Sequence, residues 1–222
     1  MRAQERIREL RHWLKTITDY MGAGRNKSRG TIDCHSALVD FLDTRSSLVA
    51  QTTLYGYLRT RAGMRYPTLF ENDAWVGAIN HAKWQMWLAC LSDLSVFAGG
   101  TIARHTRGRA DSNVAGGIAC KAAFHALERK NIPADSGPLF TDTAQELRRR
   151  LLACRWESVD DGEGAFVESP QALVLHAPII EELMQLDEEI VRNSVRFRWE
   201  EIRCELRKKM DAEALIESAE GD

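Results

Sequence analysis

The chain has 222 residues, 44% of them hydrophobic and 28% charged, with a formal net charge of −2. A chain of this size buries a large core without disulfides or a metal, so its folding calls for no cofactor and none is expected. The near-neutral balance argues against nucleic acid as a partner of the whole chain.

The charge is unevenly placed. Residues 1–109 hold sixteen Lys/Arg against nine Asp/Glu, and residues 110–222 hold fourteen against twenty-three. This predicts either one domain over 1–222 whose halves attract, or a subdivision into a basic 1–109 and an acidic 110–222. The first ten residues are charged and amphipathic and lack the apolar run of a secretory signal. The cysteines (Cys34, Cys90, Cys120, Cys154, Cys204) lie 30 to 56 residues apart with no CxxC. They read as free thiols of a reducing compartment, so the cytoplasm is expected.

Helix signals dominate from the start. Ile7, Leu10, Trp13 or Leu14, Ile17 and Tyr20 or Met21 form one apolar stripe, predicting a helix over Arg2–Met21 that stops at Gly22 and Gly24. A basic loop, Arg25–Gly30, follows. Asp33 is a candidate N-cap for a second helix running to about Ala62, with Gly63 as its C-cap. Tyr66–Pro67 argues for loop up to Asn72. A third helix from Asn72 or Asp73 to Gly99–Gly100 or just beyond is apolar around much of its circumference, as a central bundle helix is. Its polar residues, among them Asn80, His81, Lys83 and Asp93, exclude a transmembrane span.

Beyond a second basic linker, Arg104–Arg109, Asp111 and Ser112 cap a helix to Lys130. Gly116 and Gly117 within it are expected where another helix comes close. A Pro/Gly-marked linker over 131–140 leads to a capping box at Thr143 and Glu146. Ser169–Pro170 reads as an N-cap followed by proline at the first helical position. After Pro178 a charged helix runs to about Ala214 and ends in an acidic tail. The expected fold is all-α: an irregular bundle of six or seven helices, several longer than 20 residues.

Motifs of known chemistry are missing. There is no GxSxG, GxxxxGK[ST] or HExxH, and ExxH is not repeated as a di-iron bundle requires (it occurs once, at Glu9–His12), so no metal is expected and no catalytic residue stands out. The cluster Asp33, Cys34, His35 and Ser36 reads as a cap with neighbours, because adjacent helical residues point about 100° apart. His125 with Glu128, and His81 near Trp84 and Trp87, read as surface and rim histidines.

The composition of one segment stands out. Tyr55, Tyr57, Arg59, Arg61, Arg65, Tyr66, Glu71 and Asp73 surround a helix–loop–helix corner, and Arg with Tyr is the composition of interaction hot spots. The alternative is an internal Arg–carboxylate network that fixes the loop. In an up-and-down bundle the basic loops cluster at the opposite end, giving Arg25, Lys27, Arg29, Arg104, Arg107 and Arg109 as an anion-binding set. The expected function is a non-enzymatic interaction protein (an adaptor, assembly factor or regulator) that binds a protein partner, or a second copy of itself, through the Arg/Tyr corner. The alternatives are an esterase-like helical hydrolase whose site is assembled from distant segments, and a binder of anionic ligand, nucleic acid or membrane surface through the basic end.

Overall fold

The computed structural model describes residues 30–107 and 110–220, so the expected helix over Arg2–Met21 and the basic loop at 25–29 lie outside the described residues. The architecture is an all-α helical bundle with no strand among the described residues. Helix α1 (His35–Ala62) leads through a 3-10 turn at Gly63–Arg65 and the short α2 (Tyr66–Leu69) into α3 (Asp73–His105). Then come α4 (Ser112–Lys130), α5 (Phe140–Leu152), α6 (Glu168–His176), α7 (Glu181–Lys209) and α8 (Ala212–Glu220).

Helix α3 is the axis. At 33 residues it is about 50 Å long, and it packs against α1, α4, α5 and α6. Its apolar stretch is long enough to cross a membrane, yet it is wholly buried by the other helices. It starts at Asp73, within the expected bounds, and the Asn72 side chain caps it by accepting from the amides of Ala74 and Trp75. It continues straight through Gly99–Gly100 to His105. One apolar cluster extends from Ile32 to Leu215, and cations of the basic half meet acids of the other: Arg45 with Glu205, Lys83 with Asp135, and Arg104 with Asp161.

Several helix starts differ from expectation, and at α5 and α6 the expected cap is engaged elsewhere. Cys34, not Asp33, is the residue before α1, and it makes no side-chain cap. Pro67 lies in the first turn of α2, where its missing N–H costs nothing. Helix α5 begins at Phe140, and the Thr143 hydroxyl instead donates to Gln85 Oε1 at 2.8 Å. Helix α6 begins at Glu168, ahead of Ser169, with the Asp93 carboxylate of α3 accepting its first amides. The tail beyond α7 is a separate helix: Asp211 accepts from the Ala214 amide, and Leu215 is fully buried.

The glycine pair of α4 divides in role. A methyl at Gly116 would overlap the indole of Trp156, as would one at Gly99 of α3, whereas Gly117 faces open space. The close neighbour is therefore a tryptophan of the 3-10 turn Trp156–Ser158 rather than the helix expected. Gly117→Ala should raise stability by about 1 kcal/mol through helix propensity. Gly116→Ala should lower it by about 1–3 kcal/mol, because a buried ring must move. Urea midpoints of the two variants, moving in opposite directions, check both.

Arg45 and Glu205 join α1 to α7 by two hydrogen bonds of 2.6 Å, and Lys209 adds another of 2.6 Å. Burial pushes the Glu205 carboxyl up, but the bonds from Arg45 and Lys209 outweigh it and hold the group at about 2, below its ordinary 4.5. A depressed carboxyl stabilises the fold above its unfolded value and loses that contribution as pH falls toward the folded one. Acid should therefore weaken the wild-type chain between about pH 4.5 and 2 more steeply than Glu205→Gln, as read from urea midpoints at pH 5 and pH 3.

Candidate functional site

The Arg/Tyr corner is built where α1 ends. Gly63 takes a positive φ of 55°, which glycine adopts without strain, where the helix stops, and the chain folds through Arg65 into α2. Residues four apart share a helix face, so Tyr57 and Arg61 point one way and Tyr55 and Arg59 another. The structure separates these two pairs.

Tyr57 and Arg61 face inward to α7. The Tyr57 hydroxyl donates to Asp187 Oδ2 at 3.0 Å, and the Arg61 guanidinium forks onto both oxygens of the same carboxylate. Asp187 is only 6% exposed, so these donors offset the cost of burying its charge. This half of the corner is an internal network that ties α1 to the first turns of α7.

In the other half the aromatic rings are partly buried against the core and the arginines face solvent. Tyr66, Phe70 and Trp75 pack edge to face, with ring centroids 5.2 Å apart for Tyr66–Phe70 and 5.1 Å for Phe70–Trp75. Burial, helped by neighbouring Tyr66 and Asp135, pushes the Tyr55 phenol well above its ordinary value. Burial also pushes the Tyr66 phenol up to about 12, against the opposing pull of Arg59. Arg59 and Arg65 are exposed and meet no carboxylate among the described residues. Met64 between them is 98% exposed. Glu71 is exposed just ahead of α3, and Asp73 is exposed as its first residue. The arrangement presents two guanidiniums and a thioether beside an aromatic ledge.

At the expected basic end, Arg25, Lys27, Arg29 and Arg109 lie outside the described residues. Arg107 is exposed. Arg104 is held internally, donating to the carbonyls of Val159 and Asp160 and to the Asp161 carboxylate at 2.7 to 2.9 Å. Burial followed by the neighbouring Arg207 lowers its pKa, while Asp161 and Asp160 oppose that shift.

Three features escape a reading of the sequence. His35 and His125 come together from α1 and α4, with Nε2 and Nδ1 3.4 Å apart. His81 and His176 meet edge to face at 5.5 Å; burial, then His81, lowers the His176 pKa. Between α3, α5 and α6 a cleft of about 330 Å³ is lined by Gln85, Thr143, Glu168, Gln171 and His176 among apolar neighbours. Each joins residues far apart in the chain, so no local pattern marks it. No group of three or more His, Cys, Asp or Glu among the described residues is placed to hold a metal. Compared with known proteins, the chain matches no family model, no curated protein and no solved structure.

The inward half can be tested by stability alone. Arg61→Ala leaves Asp187 with the Tyr57 hydroxyl as its remaining donor from α1 and should cost about 1.5–3 kcal/mol. Arg59→Ala should move the urea midpoint within about 0.5 kcal/mol of wild type, since its side chain is exposed.

Proposed function

We propose that this chain is a non-enzymatic interaction protein, an adaptor, assembly factor or regulator, that holds a protein partner at the solvent-facing half of the corner. The observation that carries the reading is the contrast among its arginines. Arg45, Arg61, Arg104 and Arg150 are each ion-paired within the fold, while Arg59 and Arg65 stand exposed beside an aromatic ledge. An unpaired guanidinium keeps its fork for a carboxylate of another molecule, and rigid aromatics add contact area at low entropic cost. The partner this chemistry fits is an acidic segment carrying an apolar or aromatic side chain, which Met64 and Tyr66 would meet.

Once a stoichiometric partner of the full chain is identified, titration calorimetry of the wild type and of Arg59→Ala/Arg65→Ala tests the proposal. The double variant should bind at least tenfold more weakly, the loss of one or two charge-assisted hydrogen bonds. Its urea midpoint should be unchanged. Equal affinity for the two proteins overturns the assignment.

A further inference from the structure

Helix α7 has two apolar faces and the described fold uses one. Met184, Val191, Val195, Trp199, Ile202 and Leu206 are buried against the bundle. On the opposite side Leu186, Ile190 and Phe197 are 78%, 71% and 74% exposed, in line with the exposed Cys204. Their positions, with Asn193 and Glu200 between them, follow a spacing of 4-3-4-3-4 along 186, 190, 193, 197, 200 and 204. That is the seam of a helix made to pack against another along its length.

We propose that this outer face of α7 is the docking surface of residues 2–21 of the same chain, laid parallel to α7. Three independent observations name the occupant. The first is the pattern: Ala3, Ile7, Leu10, Leu14, Ile17 and Met21 are all apolar and repeat the same 4-3-4-3-4 spacing, so a constant offset of 183 aligns the two seams. A 20-residue helix spans about 30 Å, and the seam from Leu186 to Cys204 spans about 27 Å.

The second is where the described chain begins. The Ile32 amide donates to the Lys209 carbonyl at 2.7 Å, and the Asp211 amide donates to the Ile32 carbonyl at 3.0 Å. The chain thus enters the fold at the C-terminal end of α7, about 8 Å along the axis from Cys204. Residues 22–31 reach up to about 30 Å when extended, ample to set Met21 beside Cys204 with the segment lying back along α7. The same entry point dictates the parallel direction.

The third is charge. Residues 1–29 carry eight Lys/Arg against three Asp/Glu. The outer face of α7 is flanked by Glu182, Glu189 and Glu201 against Arg196 and Lys208, with Glu200 on the seam itself. In the aligned register Arg11 falls where a parallel partner meets Glu189 across the seam.

Two measurements on the full chain test this. Met21→Cys should form a disulfide with the native Cys204 under mild oxidation, within a monomer, as mapped by peptide mass spectrometry. Arg8→Cys, one residue off the seam, should form it at least tenfold more slowly. Independently, Ile7→Asp/Leu14→Asp should raise the rate of maleimide labelling at Cys204 at least tenfold, with the urea midpoint of the bundle little changed. Equal cross-linking of the two cysteine variants, or a labelling rate unmoved by the aspartates, overturns the proposal. If the Met21→Cys variant bonds to Cys204 only between two chains, the proposal is overturned in favour of a second copy as the occupant. None of these outcomes depends on Arg59 or Arg65.

Discussion

Asp93 is the charge around which the bundle is arranged. It is fully buried in α3, and its carboxylate accepts from Arg150 of α5 at 2.7 Å and from the Glu168 and Ser169 amides of α6 at 3.2 and 2.8 Å. The Ser169 hydroxyl donates to it at 2.7 Å and in turn accepts from the Trp199 indole of α7 at 2.8 Å. A buried carboxylate without such donors costs several kcal/mol, so each donor is held in place by the charge that needs it. Burial still pushes the Asp93 carboxyl above its ordinary value, against the opposing pull of Arg150 and Ser169. Three helices thereby meet at one pair of oxygens, α7 joins them through Ser169, and the first turn of α6 is capped by a side chain from another helix.

The placement of everything outside the core follows from that pin. With α6 and α7 anchored at Ser169 and Trp199, the N-terminal turns of α7 carry Asp187 to Tyr57 and Arg61, which secures one half of the Arg/Tyr corner. In the other half Arg59 and Arg65 are left facing solvent beside the Tyr66–Phe70–Trp75 ledge. The same anchoring settles which side of α7 is core, and so leaves Leu186, Ile190 and Phe197 outside. Ser169, a serine bonded to an aspartate, has its hydroxyl proton directed at Asp93 and lies fully buried. It is a structural group, not an exposed nucleophile.

Much of the fold was legible because helix periodicity is a local property. The apolar run through Trp87, Leu91 and Leu94 marked the central helix, and Asp111 was readable as a cap because it accepts from an amide two residues on. Asp33, Thr143 and Ser169 have the same local chemistry, yet none opens its helix as an N-cap. Thr143 bonds instead to a partner 58 residues away, and Ser169 to one 76 residues away. The corner was partly legible for the same reason. Composition located it, but which arginine turns inward depended on where Asp187 arrives.

By itself, the sequence determined the helices, most of their breaks and the residues of the corner, because spacing, glycine and proline act within a few residues of one another. It also placed Asp93 among the polar residues of the central helix, without saying what they meet. The tertiary structure alone decided what those partners are, that Arg61 is tied to α7 while Arg59 faces solvent, and that Gly116 makes room for Trp156 where Gly117 makes room for nothing. Those outcomes depend on contacts between residues tens of positions apart, and packing sets such distances where local propensity cannot.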